Sequence, residues 1–447
     1  MPHLEMQALT RARARRGQPL RGVLDAPGDK SVSHRALILA ALARGVTHIT
    51  GLLTSDDVLA TARAMEALGA DISWPVSDAN IWTVTGCAGL WSPPEAPLDF
   101  GNSGTGVRLT MGAVAGAGIP AVFTGDESLS SRPMRRVLDP LAQMGAASRS
   151  EDGRLPVTLE GGPLTGIDYA PPIASAQVKS AILLAGLGAR GETVVRESRL
   201  TRNHTETMLG LFGAKVSTER DGDGAIIRLD GPQALTATDL IVPGDPSSAA
   251  FATVAALIRP GSDITLRNVM TNPARTGLYR VLERMGADIS FTPAGMAAGE
   301  AVADMRVRAS QLNAIDLEPD IAPDLIDEYP ILAVACAFAS GVSRLRGLAE
   351  LRAKESDRLA ATWNLLRANG VETEIAGDDL IIDGGGNVGG GAAVETEGDH
   401  RIAMASLVLG TVSGAAVTVD KAGMIATSYP GFIRDMKALG AMIEPLG

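Results

Sequence analysis

Six times along this chain an apolar, helix-like stretch runs into a glycine and a small residue, and then into a strand-like segment. The copies are Ala67-Leu68-Gly69-Ala70, Gln143-Met144-Gly145-Ala146, Leu211-Phe212-Gly213-Ala214, Arg284-Met285-Gly286-Ala287, Ala368-Asn369-Gly370-Val371 and Ala438-Leu439-Gly440-Ala441. Each copy reads as one module: a helix closed by a glycine that tolerates positive φ, then a turn into a strand. A second helix per module has a polar start, as in Gly101–Gly106, Ala174–Lys179, Ile326–Pro330 and Asp399–Arg401, followed by a run that is apolar nearly all round. Such helices belong in a domain centre. Their N-terminal ends, each with free N–H groups and a partial positive charge, are expected to emerge together as an anion-attracting face.

The halves repeat as well. Pro27-Gly28-Asp29-Lys30-Ser31 and Pro243-Gly244-Asp245-Pro246-Ser247 each open an Ala/Leu-rich helix. They read as the points where the chain crosses between two similar domains. The expected division is an N-terminal arm and crossover at 1–25 that joins the second domain, a first three-repeat domain at 26–242 and a second at 243–447. The copies differ in chemistry: the first offers Lys30, Ser31 and Arg35 where the second has Pro246, Ser247 and Phe251. A scaffold needs the turn in both copies, whereas cationic groups in one copy alone point to a ligand site.

Composition narrows the partners. At 447 residues the chain exceeds one ordinary hydrophobic core. Aromatics are only 3%, so the cores must be packed with small and aliphatic side chains. A net charge of −11 argues against nucleic acid or an anionic membrane as partner. Cys87 and Cys336 lack motif spacing, and the five histidines show no metal-ligand pairing, so neither a disulfide framework nor a metal is expected. No signal peptide or membrane-spanning run is evident; the expectation is a cytoplasmic monomer without cofactor. The arginines at 11, 13, 15 and 16 read as a solvated lead-in.

Two motifs lose their usual meaning in context. Gly384–Gly389 matches the dinucleotide fingerprint, but no helix follows, so it reads as a hairpin loop. Gly28-Asp29-Lys30-Ser31 lacks the glycine spacing of a P-loop and keeps only a phosphate-contacting lysine at a helix start. Lys354-Glu355-Ser356-Asp357-Arg358, Arg132-Pro133-Met134-Arg135-Arg136, Arg202-Asn203-His204-Thr205-Glu206 and Asp399-His400-Arg401 all fall at helix starts. Arginine there opposes the helix dipole unless it meets an anion. Lys30, Arg35, Arg132, Arg202, Lys354, Arg358 and Arg401 together suit two anionic substrates, with Asp327 and Glu355 placed for proton transfer.

These segments, in order with Pro27–Arg35, Gly101–Arg108 and Ser175-Ala176-Gln177, resemble the signatures of 5-enolpyruvylshikimate-3-phosphate (EPSP) synthases over roughly residues 20 to 445. Gly28–Lys30, Ser175–Lys179 and Arg202–Glu206 resemble the class II branch. Two positions depart: an Asn-x-Thr-Arg motif reads Asn272-Pro273-Ala274-Arg275, and a lysine of many class I members falls at Thr427. The resemblance implies an α/β enolpyruvyl transferase fold, an inside-out barrel of two domains, each with three βαβαββ-type repeats around buried parallel helices. It implies transfer of the enolpyruvyl group of phosphoenolpyruvate to the 5-hydroxyl of shikimate 3-phosphate, with domains that close over the substrates. By the same resemblance Lys30, Asp327 and Glu355 are catalytic. Lys30, Ser31, Arg35, Ser175, Gln177, Arg202, Asp327 and Lys354 bind shikimate 3-phosphate. Lys30, Asn102, Gly104, Thr105, Arg132, Gln177, Arg358 and Arg401 bind phosphoenolpyruvate, and Gly104 leaves room for the inhibitor glyphosate. The rivals are a UDP-N-acetylglucosamine enolpyruvyl transferase, which usually carries a loop cysteine absent from Glu127–Arg136, and a non-catalytic repeat scaffold.

Overall fold

A computed structural model describes residues 9–75, 80–385 and 388–446. The six inner helices are Lys30–Leu42, Gly104–Ala117, Ala176–Gly186, Pro246–Ile258, Tyr329–Ala337 and His400–Gly410. Most residues of each are buried, as a run without a polar face requires. The outer helices Asp56–Ala67, Arg135–Gln143, His204–Leu211, Gly277–Arg284, Arg358–Ala368 and Phe432–Ala438 precede the six repeat glycines. Those glycines, Gly69, Gly145, Gly213, Gly286, Gly370 and Gly440, all have φ between +83° and +108°.

Six four-stranded sheets accompany the helices. In three modules a strand, an inner helix, a parallel strand, an outer helix and a final hairpin follow one another, which is the α/β repeat expected, and in the other three distant chain supplies one strand. In Leu98–Leu159, for example, Leu98–Asp99 runs parallel to Ala121–Thr124, which pairs antiparallel with Val157–Leu159, and Ser148–Ser150 lies outside. Distant chain completes three sheets: Leu240–Ile241 pairs with Arg44–Thr50, Arg21–Asp25 with Asp263–Met270, and Arg11–Arg15 with Val417–Asp420 and Met442–Leu446.

The N-terminal arginines need a correction. Arg11–Arg15 is no lead-in but an inner strand between Val417–Asp420 and Met442–Leu446. Its Ala12 and Ala14 are fully buried while the arginines between them face solvent, a period of two that the charges disguised. In the Gly384–Gly389 run, residues 386–387 lie outside the described residues; Gly384 ends strand Asp379–Gly384 and no helix follows.

The chain packs as two units. The first holds Gly28–Pro243 and Met296–Glu300; the second holds the residues up to Pro27, Gly244–Gly295 and those from Ala301 onward. In the first unit, small residues bring two inner helices into backbone contact. A Cβ on Gly112 would lie 2.2 Å from the Ala181 carbonyl oxygen, and one on Gly116 would lie 2.8 Å from that of Leu184.

Gly112→Ala should therefore destabilise the first unit by about 1–3 kcal/mol, because backbone rather than a flexible side chain must yield. Gly210→Ala, in a helix with nothing within 4 Å of its added Cβ, should be neutral or stabilising by up to about 1 kcal/mol. Thermal unfolding of the two variants beside the parent protein gives the comparison; equal midpoints for both would contradict the packing.

Candidate functional site

The first-turn N–H groups of each inner helix have no partner within the helix, and capping groups meet them. In the first unit Asp29 caps Lys30–Leu42 by accepting from the Val32 N–H at 2.8 Å, and Ser103 caps Gly104–Ala117 at 3.2 Å from the Gly106 nitrogen. Ser175 caps Ala176–Gly186 more loosely, at 3.4 Å from the Val178 nitrogen. Lys30 follows its cap directly, and its Nζ lies 2.5 Å from Oδ2 of Asp57, in the first turn of an outer helix.

The next two helix starts are joined through Gln177. Its Nε2 donates to Thr105 Oγ1 at 2.9 Å, and its Oε1 accepts from Arg108 Nη1 at 3.0 Å. Arg132 donates through Nη2 to Asn102 Oδ1 at 2.8 Å, and Asn102 donates to Asp126 Oδ2 at 2.8 Å. A Cβ on Gly104 would stand 3.0 Å from Arg108 Nη1 and 3.2 Å from Arg132 Nη1. The glycine thus floors a space edged by two guanidinium groups. Arg108 was not singled out among the site residues, yet its spacing of four from Gly104 places both on one helix face.

Arg35 is turned inward. Its guanidinium donates to Thr205 Oγ1 at 2.8 Å, Ser180 Oγ at 2.7 Å and the Ser31 carbonyl at 2.9 Å. Beside it, His34 is fully buried, and burial together with Lys30 and Arg35 pushes its pKa well down, so it is neutral at pH 7. Arg202 is half-buried in the loop between strand Gly191–Glu197 and helix His204–Leu211.

The second unit gathers the remaining candidates. Asp327 Oδ1 lies 3.2 Å from Lys354 Nζ and 3.2 Å from Arg358 Nη1. Arg358 also reaches Glu355 Oε2 at 2.5 Å and Asp399 Oδ2 at 2.7 Å, with a side chain only 1% exposed. Burial alone would lower its pKa, but Asp399, Glu355 and Asp327 outweigh that and raise it. For Asp399 the balance runs the other way: burial would raise its pKa, and Arg358 holds it below the usual carboxylate range. Asp399 also caps His400–Gly410 through the Arg401 N–H at 2.9 Å. Arg401 donates to the Asp327 carbonyl at 2.9 Å and lies 3.5 Å from Glu328 Oε1. Thr427, at the position of the class I lysine, is buried with Oγ1 3.3 Å from His400 Nδ1 and donates to the Met424 carbonyl.

The structure therefore brings Lys30, Ser31, Arg35, Asn102, Gly104, Thr105, Arg132, Ser175, Gln177 and Arg202 into the first unit, and Asp327, Lys354, Glu355, Arg358 and Arg401 into the second. Among the described residues no cluster of three or more His, Cys, Asp or Glu could hold a metal ion, and no helix is long and apolar enough to cross a membrane.

Comparison with known proteins points one way. The profile of the family "EPSP synthase (3-phosphoshikimate 1-carboxyvinyltransferase)" matches residues 14–436. A 3-phosphoshikimate 1-carboxyvinyltransferase of Maricaulis maris is 58% identical over 437 residues, covering 97% of each chain. The structure of EPSP synthase from Acinetobacter baumannii superposes with a TM-score of 0.86 at 40% identity, over 97% of this chain and 99% of that one. The enolpyruvyl transferase NikO from Streptomyces tendae shares the fold, with a TM-score of 0.76 at 18% identity, over 98% of this chain and 99% of that one.

Asp399→Asn should cost about 3–5 kcal/mol, because it leaves the buried Arg358 cation without its main partner. The folded-state pKa of Asp399 is depressed, so its contribution is complete above about pH 4 and is lost as pH falls below that. Urea unfolding at pH 7 and pH 3 should show a deficit that shrinks in acid. A deficit equal at both pH values would contradict the ion pairing.

Proposed function

The chain belongs to the EPSP synthase family, and we propose that it transfers the enolpyruvyl group of phosphoenolpyruvate to the 5-hydroxyl of shikimate 3-phosphate and releases phosphate. The observation that carries this reading is the grouping of Asp327, Lys354, Glu355, Arg358 and Arg401. Two carboxylates lie within 3.2 Å of cations at a helix start, so proton acceptors and anion-binding groups share one place.

The chemistry needs a proton at the methylene carbon, removal of the hydroxyl proton and neutralisation of phosphate and carboxylate charge. Glu355 delivers the proton to the methylene carbon, and C2 becomes electrophilic. The 5-hydroxyl oxygen bonds to C2 as Asp327 takes its proton. From the tetrahedral adduct, Glu355 then removes a methyl proton while the C2–O bond to phosphate breaks. The proton held by Asp327 departs with the phosphate through Lys30, whose ammonium also stabilises the charge that develops. Ser31, Arg35, Ser175, Gln177, Arg202, Asp327 and Lys354 serve shikimate 3-phosphate with Lys30. Asn102, Gly104, Thr105, Arg132, Gln177, Arg358 and Arg401 serve phosphoenolpyruvate with it.

The cysteines speak against the UDP-N-acetylglucosamine rival. Burial pushes the Cys336 thiol up to about 12 inside an inner helix, and Cys87 is also raised by burial and bonded to the Gly69 carbonyl. Neither thiol suits covalent enolpyruvyl transfer. The class II assignment is part of the proposal. Its departure at Ala274 leaves Arg275 bonded to Asp245 and Ser247 at 2.9 and 3.1 Å, so the guanidinium of that motif keeps a structural use.

Purified protein should release phosphate from phosphoenolpyruvate with shikimate 3-phosphate as acceptor and not with UDP-N-acetylglucosamine. Release with neither acceptor would overturn the reading. Lys30→Met should lower turnover about 100-fold, the scale for removal of one group that stabilises transition-state charge. Gly104→Ala should weaken glyphosate inhibition, since its methyl enters the space between Arg108 and Arg132; an unchanged inhibition constant would exclude that placement.

A further inference from the structure

Lys179 lies in the first turns of the inner helix Ala176–Gly186, two residues beyond Gln177, and its side chain is 1% exposed. Its Nζ lies 3.0 Å from Glu197 Oε2 and 2.7 Å from Glu206 Oε1. Those carboxylates stand at the two ends of one loop: Glu197 closes strand Gly191–Glu197, and Glu206 lies in the first turn of helix His204–Leu211. Glu197 is bound from within the loop as well, by the Thr201 hydroxyl and by its N–H at 3.4 Å. The next residue is Arg202. On the far side of the loop Thr205 lies 2.6 Å from Ser180 Oγ and accepts from Arg35, and His204 Nδ1 is 2.6 Å from Glu300 Oε1.

We propose that Lys179, Glu197 and Glu206 are positioning residues that clamp the loop 198–203 at both ends and so aim the Arg202 guanidinium at the phosphate of shikimate 3-phosphate. The inference rests on the substrate assignment above.

A buried ammonium facing two buried carboxylates is a costly way to stabilise a fold and a good way to fix a geometry. With both carboxylates ionised the cluster would carry net negative charge out of water. Burial, and to a smaller degree Glu197, raises the Glu206 pKa against the pull of Lys179, which eases that cost by favouring the protonated acid. The two short runs that hold Lys179 and Glu206, Ser175–Lys179 and Arg202–Glu206, are thereby one physical unit: the ammonium of the first is the tether of the second. Arg202, half-buried, lies in the loop that this tether holds, and a guanidinium on a loop binds tightly only if the loop is already ordered.

The test is a steady-state comparison of Lys179→Met, Arg202→Ala and the double variant, with Glu206→Leu and Glu206→Gln alongside. Lys179→Met should raise KM for shikimate 3-phosphate about 10- to 100-fold, while kcat and KM for phosphoenolpyruvate stay within about 3-fold. In the Arg202→Ala background the same substitution should add less than about 2-fold, because its effect passes through Arg202. Glu206→Gln, which keeps a hydrogen-bond acceptor, should stay near the parent and Glu206→Leu should follow Lys179→Met. Calorimetric titration of shikimate 3-phosphate should give the same order of Kd values. A Lys179→Met effect that multiplies fully with Arg202→Ala, or that falls on kcat, would overturn the clamp. If Lys179→Met does not fold, the two Glu206 variants decide alone: equal KM values for both would overturn it. A parent protein that turns over phosphoenolpyruvate without shikimate 3-phosphate, or not at all, would instead count against the substrate assignment.

Discussion

The N–H groups in the first turn of a helix packed in a domain centre have no partner within the helix. That constraint organises the chemistry of both units. Asp29, Ser103, Ser175, Asp245 and Asp399 answer it as side-chain caps. The fifth inner helix meets it differently, with Pro330 in its first turn, where a residue without an N–H removes one of the donors. Its N-cap residue Glu328 is then available for the Ser247 hydroxyl and Arg401. The caps do more than close helices. Asp399 both caps a helix and balances Arg358, so the geometry of the cation is set by the backbone that the carboxylate holds.

Small residues convert this into a site. Glycines at 112 and 116 leave no room for a side chain between neighbouring inner helices, and their backbones approach to contact. The starts of those helices are consequently close enough for Gln177 to bridge Thr105 and Arg108 directly. Larger core residues would separate the helices and break these hydrogen bonds without touching a single polar residue. The scarcity of aromatics in the composition is thus a condition for the placement of the polar groups.

Much of this was legible in the sequence because it is local. The repeat glycines, the fully apolar helices and the polar residues at their starts each reveal themselves within a few neighbouring positions. What was not legible depends on partners far along the chain. The Arg11–Arg15 strand looked like solvated chain because its flanking strands lie more than four hundred residues away. The direction in which a cation faces is equally hidden. Arg35 and Arg358 read like Arg132 and Arg401 in sequence, yet they are buried among hydroxyls and carboxylates that only the fold supplies. Lys179 belongs with them: its two carboxylate partners are ordinary acidic residues until a strand end and a helix start are seen on either side of one loop.

Cations in these units therefore divide by what surrounds them, and the division has a physical logic. A guanidinium encircled by carboxylates is held in a fixed direction, and an anion that meets it does so at the donors left facing outward. Arg358 is such a hub: beside the phosphoenolpyruvate contact proposed for it, it fixes Asp327, Glu355 and Asp399 relative to one another. Arg132 and Arg108 donate to neutral oxygens of Asn102, Ser128, Gln177 and backbone carbonyls. Neutral acceptors orient a guanidinium without themselves cancelling its charge. Gly104 lies where both of these groups approach, and the absence of a side chain there keeps the charge accessible. The chain can be acidic overall and still gather cations at its helix starts, because several of its acidic residues are placed to position those cations.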